Sequence, residues 1–518
     1  MNKTILMLLA LLFGTAATVA QPLTQTVVAQ GKIEGVEADG LAYFKGVPYA
    51  EPPVGKMRWK APVPAKPWEG TFKADTYRAN PVQKVKSQPE EGMPGIGEDC
   101  LYLNIITPAH SADDRLPVIV WIHGGSFSGG SAIGLPGDNF ARQGLVYVCI
   151  EYRTGALGFL AHPELSAESE RGLSGNYGLM DQLLGLHWVQ DNIAAFGGDP
   201  KKVTILGESA GAISVSMLCA SPLAKGLFRG AISQSGGAFC PVDTVKVSNT
   251  SIRNLQMAEE FGEAFMQRMG AKNIAELREM PYEKWLDDSI GNGMNGFWPC
   301  VDGYVITDDQ YKLYESGDYN DVNILIGTNS DEGSMFVQPC PVAEYEATVT
   351  NLFGPYAGKV LHEYPATNEV EAYYAQADIF REAAFAWPTY AWANLQRQTG
   401  KHPVYLYYFD VSQKVWFGPK ELKARGAGHA FDLPYVFNHP FLQQLTDDDR
   451  HVSELMVRYW TNFIKTGDPN GEGLQQWPVY EKDTKTVMHF TDQGTALITV
   501  PNRGKIELME EFFRWKRK

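Results

Sequence analysis

Four short apolar runs set the framework of the chain: Leu116–Ile122, Val203–Leu206, Val322–Gly327 and Val404–Phe409. Each is bounded by polar or turn residues, the mark of a strand buried in a parallel sheet. Elsewhere the apolar positions change to helical spacing. Val452, Leu455, Met456, Tyr459, Trp460, Phe463 and Ile464 form a one-sided stripe, stopped by Gly467 and Pro469. A stripe of that kind is core packing and binds no ligand. Ile252–Met269 repeats the helical spacing, and Ala212–Cys219 is compatible with a helix. Alternating strands and helices predict an α/β chain, with a mostly parallel sheet covered on both faces. By rule of thumb 518 residues suggest about three domains. No Pro/Gly/Ser-rich linker, repeat or low-complexity segment divides them.

The first twenty residues follow another logic. Lys3 precedes the apolar run Ile5–Phe13, and small residues surround Thr18-Val-Ala20. Nine apolar residues are too few to span a bilayer, so residues 1–20 are expected to be a secretory signal cut near Ala20. The mature protein is then secreted or periplasmic, with no integral membrane span. The formal net charge of −15 disfavours nucleic acid and anionic membranes as partners. Six cysteines are too few for a disulfide scaffold in a chain this long. With no Cys-x-x-Cys and no His-Glu-x-x-His, no metal site is indicated. The basic end, Arg514-Trp-Lys-Arg-Lys518, reads as a helix cap or a frayed tail.

Chemistry enters where Val203–Leu206 runs into Gly207-Glu208-Ser209-Ala210-Gly211. A Gly-x-Ser-x-Gly between a strand and a helix is a nucleophile elbow, whose glycines allow the sharp turn that lifts the serine hydroxyl off the sheet. A serine hydroxyl is a weak nucleophile and needs a base, an acid to orient it and donors for the oxyanion. On such an elbow the acid and then the histidine follow the serine along the chain. His110, His123, His162 and His187 precede Ser209, leaving His362, His402, His429, His439, His451 and His489. His429 follows two glycines in Gly426-Ala-Gly-His-Ala430, beyond the late strand Val404–Phe409, where an exposed, flexible base is expected. His439 sits in an Asn-His-Pro turn, His451 near a helix start and His489 in a strand-like run; these read as structural. After Val322–Gly327 the loop Thr328-Asn-Ser-Asp-Glu-Gly333 offers Asp331 and Glu332 side by side. Either can be the acid. Leu116–Ile122 ends in His123-Gly-Gly-Ser-Phe-Ser-Gly-Gly130, which lacks the Lys-Ser/Thr of a phosphate loop. It reads instead as an oxyanion loop that acts with the N–H of Ala210.

These runs, and others along the chain, resemble type-B carboxylesterases of the cholinesterase/carboxylesterase group of α/β-hydrolases. The likeness extends from Gly31 to about Tyr480. It includes Phe44-Lys-Gly-Val-Pro-Tyr-Ala-Glu-Pro-Pro-Val-Gly55, Glu98-Asp-Cys-Leu-Tyr-Leu-Asn104, Tyr152-Arg-Thr-Gly-Ala-Leu-Gly-Phe159, Gly175-Asn-Tyr-Gly-Leu-Met-Asp-Gln182, Val301-Asp-Gly303 and Thr466-Gly-Asp-Pro-Asn470. The resemblance implies an α/β-hydrolase fold with helical cap insertions, residues 21–518 forming one domain. It implies hydrolysis of small-molecule carboxylic esters without a cofactor. It places the nucleophile on Ser209, the acid on Glu332, the base on His429 and the oxyanion donors on Gly125, Ser126 and Ala210.

The chain departs from the pattern at three places. Ser126 replaces the third glycine of the oxyanion loop, which narrows its backbone freedom and adds a hydroxyl. Cys100 lacks the upstream cysteine that usually pairs with it. No tryptophan stands between Pro81 and Gly97, so the aromatic that binds choline in cholinesterases is missing. Before Trp298, where cholinesterases carry bulky acyl-pocket aromatics, the chain reads Gly291-Asn-Gly-Met-Asn-Gly-Phe297. A wider acyl pocket walled by Phe297 and Trp298 is therefore expected. Two other readings share the fold: a catalytically silent binding or adhesion protein, and a lipase or amidase using the same triad.

Overall fold

The computed structural model describes residues 21–84, 94–242, 252–291, 296–440 and 442–518. The expected signal segment, residues 1–20, lies outside them, as do residues 292–295 of the expected acyl wall.

An eleven-stranded sheet organises the molecule. In chain order its strands are β1 (Val36–Ala38), β2 (Leu41–Pro48), β3 (Tyr102–Thr107), β4 (Leu116–Ile122), β5 (Val146–Ile150), β6 (Gly198–Glu208), β7 (Gly230–Gln234), β8 (Asn323–Asn329), β9 (Val404–Asp410), β10 (Thr486–Thr491) and β11 (Gly494–Thr499). In space the order is β11-β10-β9-β8-β7-β6-β4-β5-β3-β2-β1. The run from β10 to β5 is parallel throughout, and antiparallel strands close both edges. All four apolar runs of the sequence are central strands of this sheet, which is an α/β-hydrolase sheet.

Side-chain alternation explains why those runs are almost wholly apolar. Along β4, Val118, Val120 and Ile122 join the core on one face of the sheet, and Ile119 and Trp121 join the core on the other. Burying a side chain of the Val or Ile class contributes about 1.5–3 kcal/mol, so a charge on either face would open the sheet. The expected helical stripe lies on the helix Asp447–Thr466. Val452, Met456, Tyr459, Trp460, Phe463 and Ile464 are buried, and Leu455 packs at their margin. Thr446 and Asp449 form a capping box at its start, and Gly467 ends it at φ 83°. Ile252–Met269 resolves into the helix Leu255–Arg268, with Ala258, Gly262 and Phe265 buried.

The basic C-terminus takes the first of its two sequence readings, the end of a helix. The helix Arg503–Lys516 covers Ile506, Met509, Phe512 and Phe513, and Arg517 pairs with Asp309 at 3.1 Å instead of fraying. No disulfide joins any two cysteines among the described residues, and Cys100 is buried. Among the described residues no helix is long and apolar enough to cross a membrane, and no group of three His, Cys, Asp or Glu could hold a metal.

Candidate active site

The site forms at the carboxyl ends of the parallel strands, where the chain leaves the sheet and side chains from separate loops converge. β6 ends at Glu208, and the helix Ala210–Ala220 starts one residue after Ser209. Ser209 is held at φ 56°, ψ −124°, a conformation that costs a non-glycine residue about 1–3 kcal/mol. Its N–H donates to Gln234 O at 2.9 Å. Both elbow glycines are needed for close packing. A Cβ on Gly207 would stand 2.3 Å from the carbonyl of Gly211, and one on Gly211 would stand 2.1 Å from Ile122 O.

Three sequence candidates meet here. The Ser209 hydroxyl lies 2.8 Å from His429 Nε2, and His429 Nδ1 lies 2.5 Å from Glu332 Oε2. Glu332 is fully buried, and its other oxygen accepts the N–H of Asn329 at 2.8 Å. Asp331 turns the other way. It takes the Ser334 hydroxyl at 2.5 Å and the Arg425 N–H at 3.0 Å, and it does not reach the imidazole.

His429 is not the exposed, flexible residue expected, for only 6 % of it is accessible. Its loop is laced to the acid loop by Asp331 N to Ala427 O, Ala427 N to Ser330 Oγ and Asn329 Nδ2 to Gly428 O, each at 2.8 Å. Phe385 stacks on the imidazole with ring centroids 4.6 Å apart, and Phe336 meets it edge-on at 5.0 Å. Phe385 lies in the π-helical turn Glu382–Ala386, a distortion that often marks functional segments. No pattern in the sequence singles out either ring.

Glu208 is a fourth group, which the sequence reading passed over as the variable residue of the elbow. Its Oε1 lies 3.3 Å from His429 Nε2, and the residue is 5 % exposed. Burial raises this carboxyl to about 8, against the attraction of His429 and with support from Asp432 and Glu332. For His429, burial alone disfavours the cation. The carboxylates of Glu208 and Glu332 outweigh it and raise the imidazole to about 9.

The glycine loop that carries two of the proposed oxyanion residues turns through positive φ. Gly125 takes φ 110°, and Ser126 and Phe127 take φ 56° and 57°. Ser126 thus adopts the left-handed backbone that a glycine would enter without strain. Among the described residues no backbone carbonyl takes the N–H of Gly125, Ser126 or Ala210. Gln83 fastens the loop, accepting the N–H of Gly130 at 2.9 Å and donating to its carbonyl at 2.6 Å. The two expected pocket aromatics separate. Phe297 packs into the cap against Phe261 and Phe265, at 5.2 and 4.9 Å. Trp298 meets Phe127 of the glycine loop at 5.0 Å.

A serine, histidine and glutamate in hydrogen-bonding series on an α/β sheet is the arrangement of an acyl-transfer hydrolase, and known proteins agree. The model of the carboxylesterase family matches residues 21–509. The chain belongs to the carboxylesterase family. It is 34 % identical to para-nitrobenzyl esterase of Bacillus subtilis (strain 168), across 94 % of this chain and 98 % of that one. Fumonisin B1 esterase of Sphingopyxis macrogoltabida is 33 % identical, across 96 % and 92 %. Human (Homo sapiens) cocaine esterase is 31 % identical, across 92 % and 89 %. This carboxylesterase is accordingly a serine hydrolase acting on carboxylic ester bonds.

Proposed function

We propose that the enzyme cleaves small-molecule esters through an acyl-enzyme on Ser209. His429 takes the Ser209 proton as the hydroxyl attacks the ester carbonyl, then passes it to the leaving alcohol. Glu332 keeps hydrogen on Nδ1 and stabilises the imidazolium. The N–H groups of Gly125, Ser126 and Ala210 hold the oxyanion, each contributing on the order of 3 kcal/mol. His429 then activates the water that releases the acid. The observation carrying this reading is the single imidazole that bridges Ser209 Oγ and Glu332. Labelling of Ser209 by a fluorophosphonate tests it. Residues 21–518 act as one catalytic domain, supported by a sheet whose strands run from Val36 to Thr499. Export rests on the Lys3 and Ile5–Phe13 pattern, and a mature N-terminus at Gln21, read by sequencing, is its check.

The charges around His429 set a pH expectation. A base must be neutral to accept a proton, so activity rises as the imidazole deprotonates. With Glu208 and Glu332 nearby, that happens above the ordinary value of 6.5. Glu208→Gln removes one supporting negative charge, which makes the cation less favourable. The acid limb of kcat/KM is therefore expected to move to lower pH, towards 6.5. A limb that stays in place, or moves upward, would separate Glu208 from the titration of His429.

Acyl preference follows from what lines the cap. Phe297 is committed to Phe261 and Phe265, and Gly291 and Gly296 flank the stretch before it. This supports a wide acyl side and turnover of bulky or aromatic acyl groups. The missing tryptophan before Glu98 removes a cation–π attraction worth about 2 kcal/mol when desolvated. Acetate, butyrate and benzoate esters of one phenol should show comparable kcat/KM, and choline should gain nothing over a neutral isostere. A steep fall from acetate to benzoate, or a choline preference of about tenfold or more, contradicts the reading.

A further inference from the structure

Two buried groups beneath the glycine loop have no part in the chemistry above. His123 follows β4 and Glu151 follows β5, neighbouring strands of the sheet. They are 2 % and 3 % exposed. His123 Nδ1 lies 2.8 Å from Gly124 O. A carbonyl only accepts, so Nδ1 carries hydrogen. Nε2 faces Glu151 Oε2 at 3.4 Å, and neither atom makes a hydrogen bond among the described residues. The second oxygen of Glu151 accepts the N–H of Ala132 at 2.8 Å and faces the Ser131 hydroxyl at 3.4 Å. A neutral imidazole of this tautomer opposite an ionised carboxylate would set two lone pairs against each other. The geometry is satisfied when one further proton lies between them, on Nε2 or on Oε2.

The surroundings tie this pair to both stems of the loop. At the entry, the Tyr152 ring stacks on the imidazole at 4.3 Å, and its hydroxyl donates to His123 O at 2.8 Å. At the exit, Gly130 closes on the same ring, for a Cβ there would stand 2.2 Å from His123 Nδ1 and from Gly124 O. Ala132, two residues on, donates its N–H to Glu151 itself. Between the stems, Ser126 and Phe127 sit at strained positive φ, which persists only where the surroundings impose it.

We propose that His123 and Glu151 are a proton-sharing positioning pair. The pair holds the Gly124–Gly130 backbone so that the N–H groups of Gly125 and Ser126 meet the developing oxyanion. This rests on the oxyanion reading of that loop. Neither residue touches substrate. Their effect is to fix donors that act only in the transition state.

The test compares Glu151→Gln with Glu151→Leu in the mature enzyme. It measures kcat and KM on a para-nitrophenyl ester, affinity for a trifluoromethyl ketone that forms the oxyanion adduct, and fluorophosphonate labelling. Glutamine keeps an acceptor for Ala132 and supplies an N–H to Nε2, so activity should stay within about threefold. Leucine removes the bridge: kcat should fall about 10- to 100-fold with KM little changed, and ketone affinity should fall by a similar factor. Should the leucine variant fail to fold, His123→Phe/Glu151→Gln keeps the ring stack and the Ala132 contact without the bridge, and carries the same expectation. Equal losses in Gln and Leu, a loss confined to KM, or an unchanged kcat without the bridge would overturn the pair. Labelling separates this from the function itself. A labelled Ser209 with any of those outcomes refutes the pair alone, and an unlabelled wild-type Ser209 refutes both.

Discussion

Ser209→Ala is expected to leave a folded protein whose ester hydrolysis is down by about 10⁵–10⁶-fold. The size follows from how the three side chains work. Without the hydroxyl, His429 has no proton to take and Glu332 no imidazolium to stabilise, so their contributions vanish with it. What survives is binding and the backbone donors at Gly125, Ser126 and Ala210. Stability should hold or rise slightly, because the change removes one oxygen and keeps the strained backbone at φ 56°. A fluorophosphonate should label wild type on Ser209 and leave the variant unmarked. Residual activity above a hundredth of wild type, or labelling elsewhere, would move the nucleophile to another residue.

The second large effect is expected at the acid. In Glu332→Gln the amide oxygen can still accept the Asn329 N–H, and the amide nitrogen then donates to His429 Nδ1. That stabilises the tautomer with hydrogen on Nε2, facing Ser209 where a lone pair is needed. A fall in kcat of about 10⁴-fold is expected, with KM and folding little changed. Asp331→Asn is the control. Its carboxyl serves Ser334 and the Arg425 N–H, and burial already raises it above the usual carboxylate value. A neutral amide there should cost at most about 1–2 kcal/mol of stability and little kcat. Should Asp331→Asn prove the crippling change, Glu332 would not be the orienting acid.

The features legible in the sequence were those whose cause is local. Gly207 and Gly211 are forced by contacts within a few residues and with the adjacent strand, so five positions announced the elbow. The central strands announced themselves because both sheet faces are covered and nearly every position is apolar. The capping box and Gly467 bounded the last long helix by rules that act within one turn. Chain order narrowed ten histidines to six, and the glycines just before position 429 singled out one of them.

Tertiary structure decided what depends on direction and on distant partners. Neighbouring side chains leave the backbone at different angles, so only the folded loop separates Asp331, turned to Ser334 and Arg425, from Glu332, turned to the imidazole. His429 reads as exposed from its glycines, yet the acid loop and two phenylalanines, Phe336 and Phe385, enclose it. Glu208 filled a variable slot in a motif until folding put its carboxyl 3.3 Å from the base. His123 and Glu151 stand 28 positions apart, and the parallel pairing of β4 with β5 makes them neighbours. Sequence determined the elements and the candidate nucleophile because glycine sterics and hydrophobic periodicity act over a few residues. The choice between Asp331 and Glu332, the charge around His429 and the contacts beneath the glycine loop needed the fold, because electrostatics and hydrogen bonding follow distance in space.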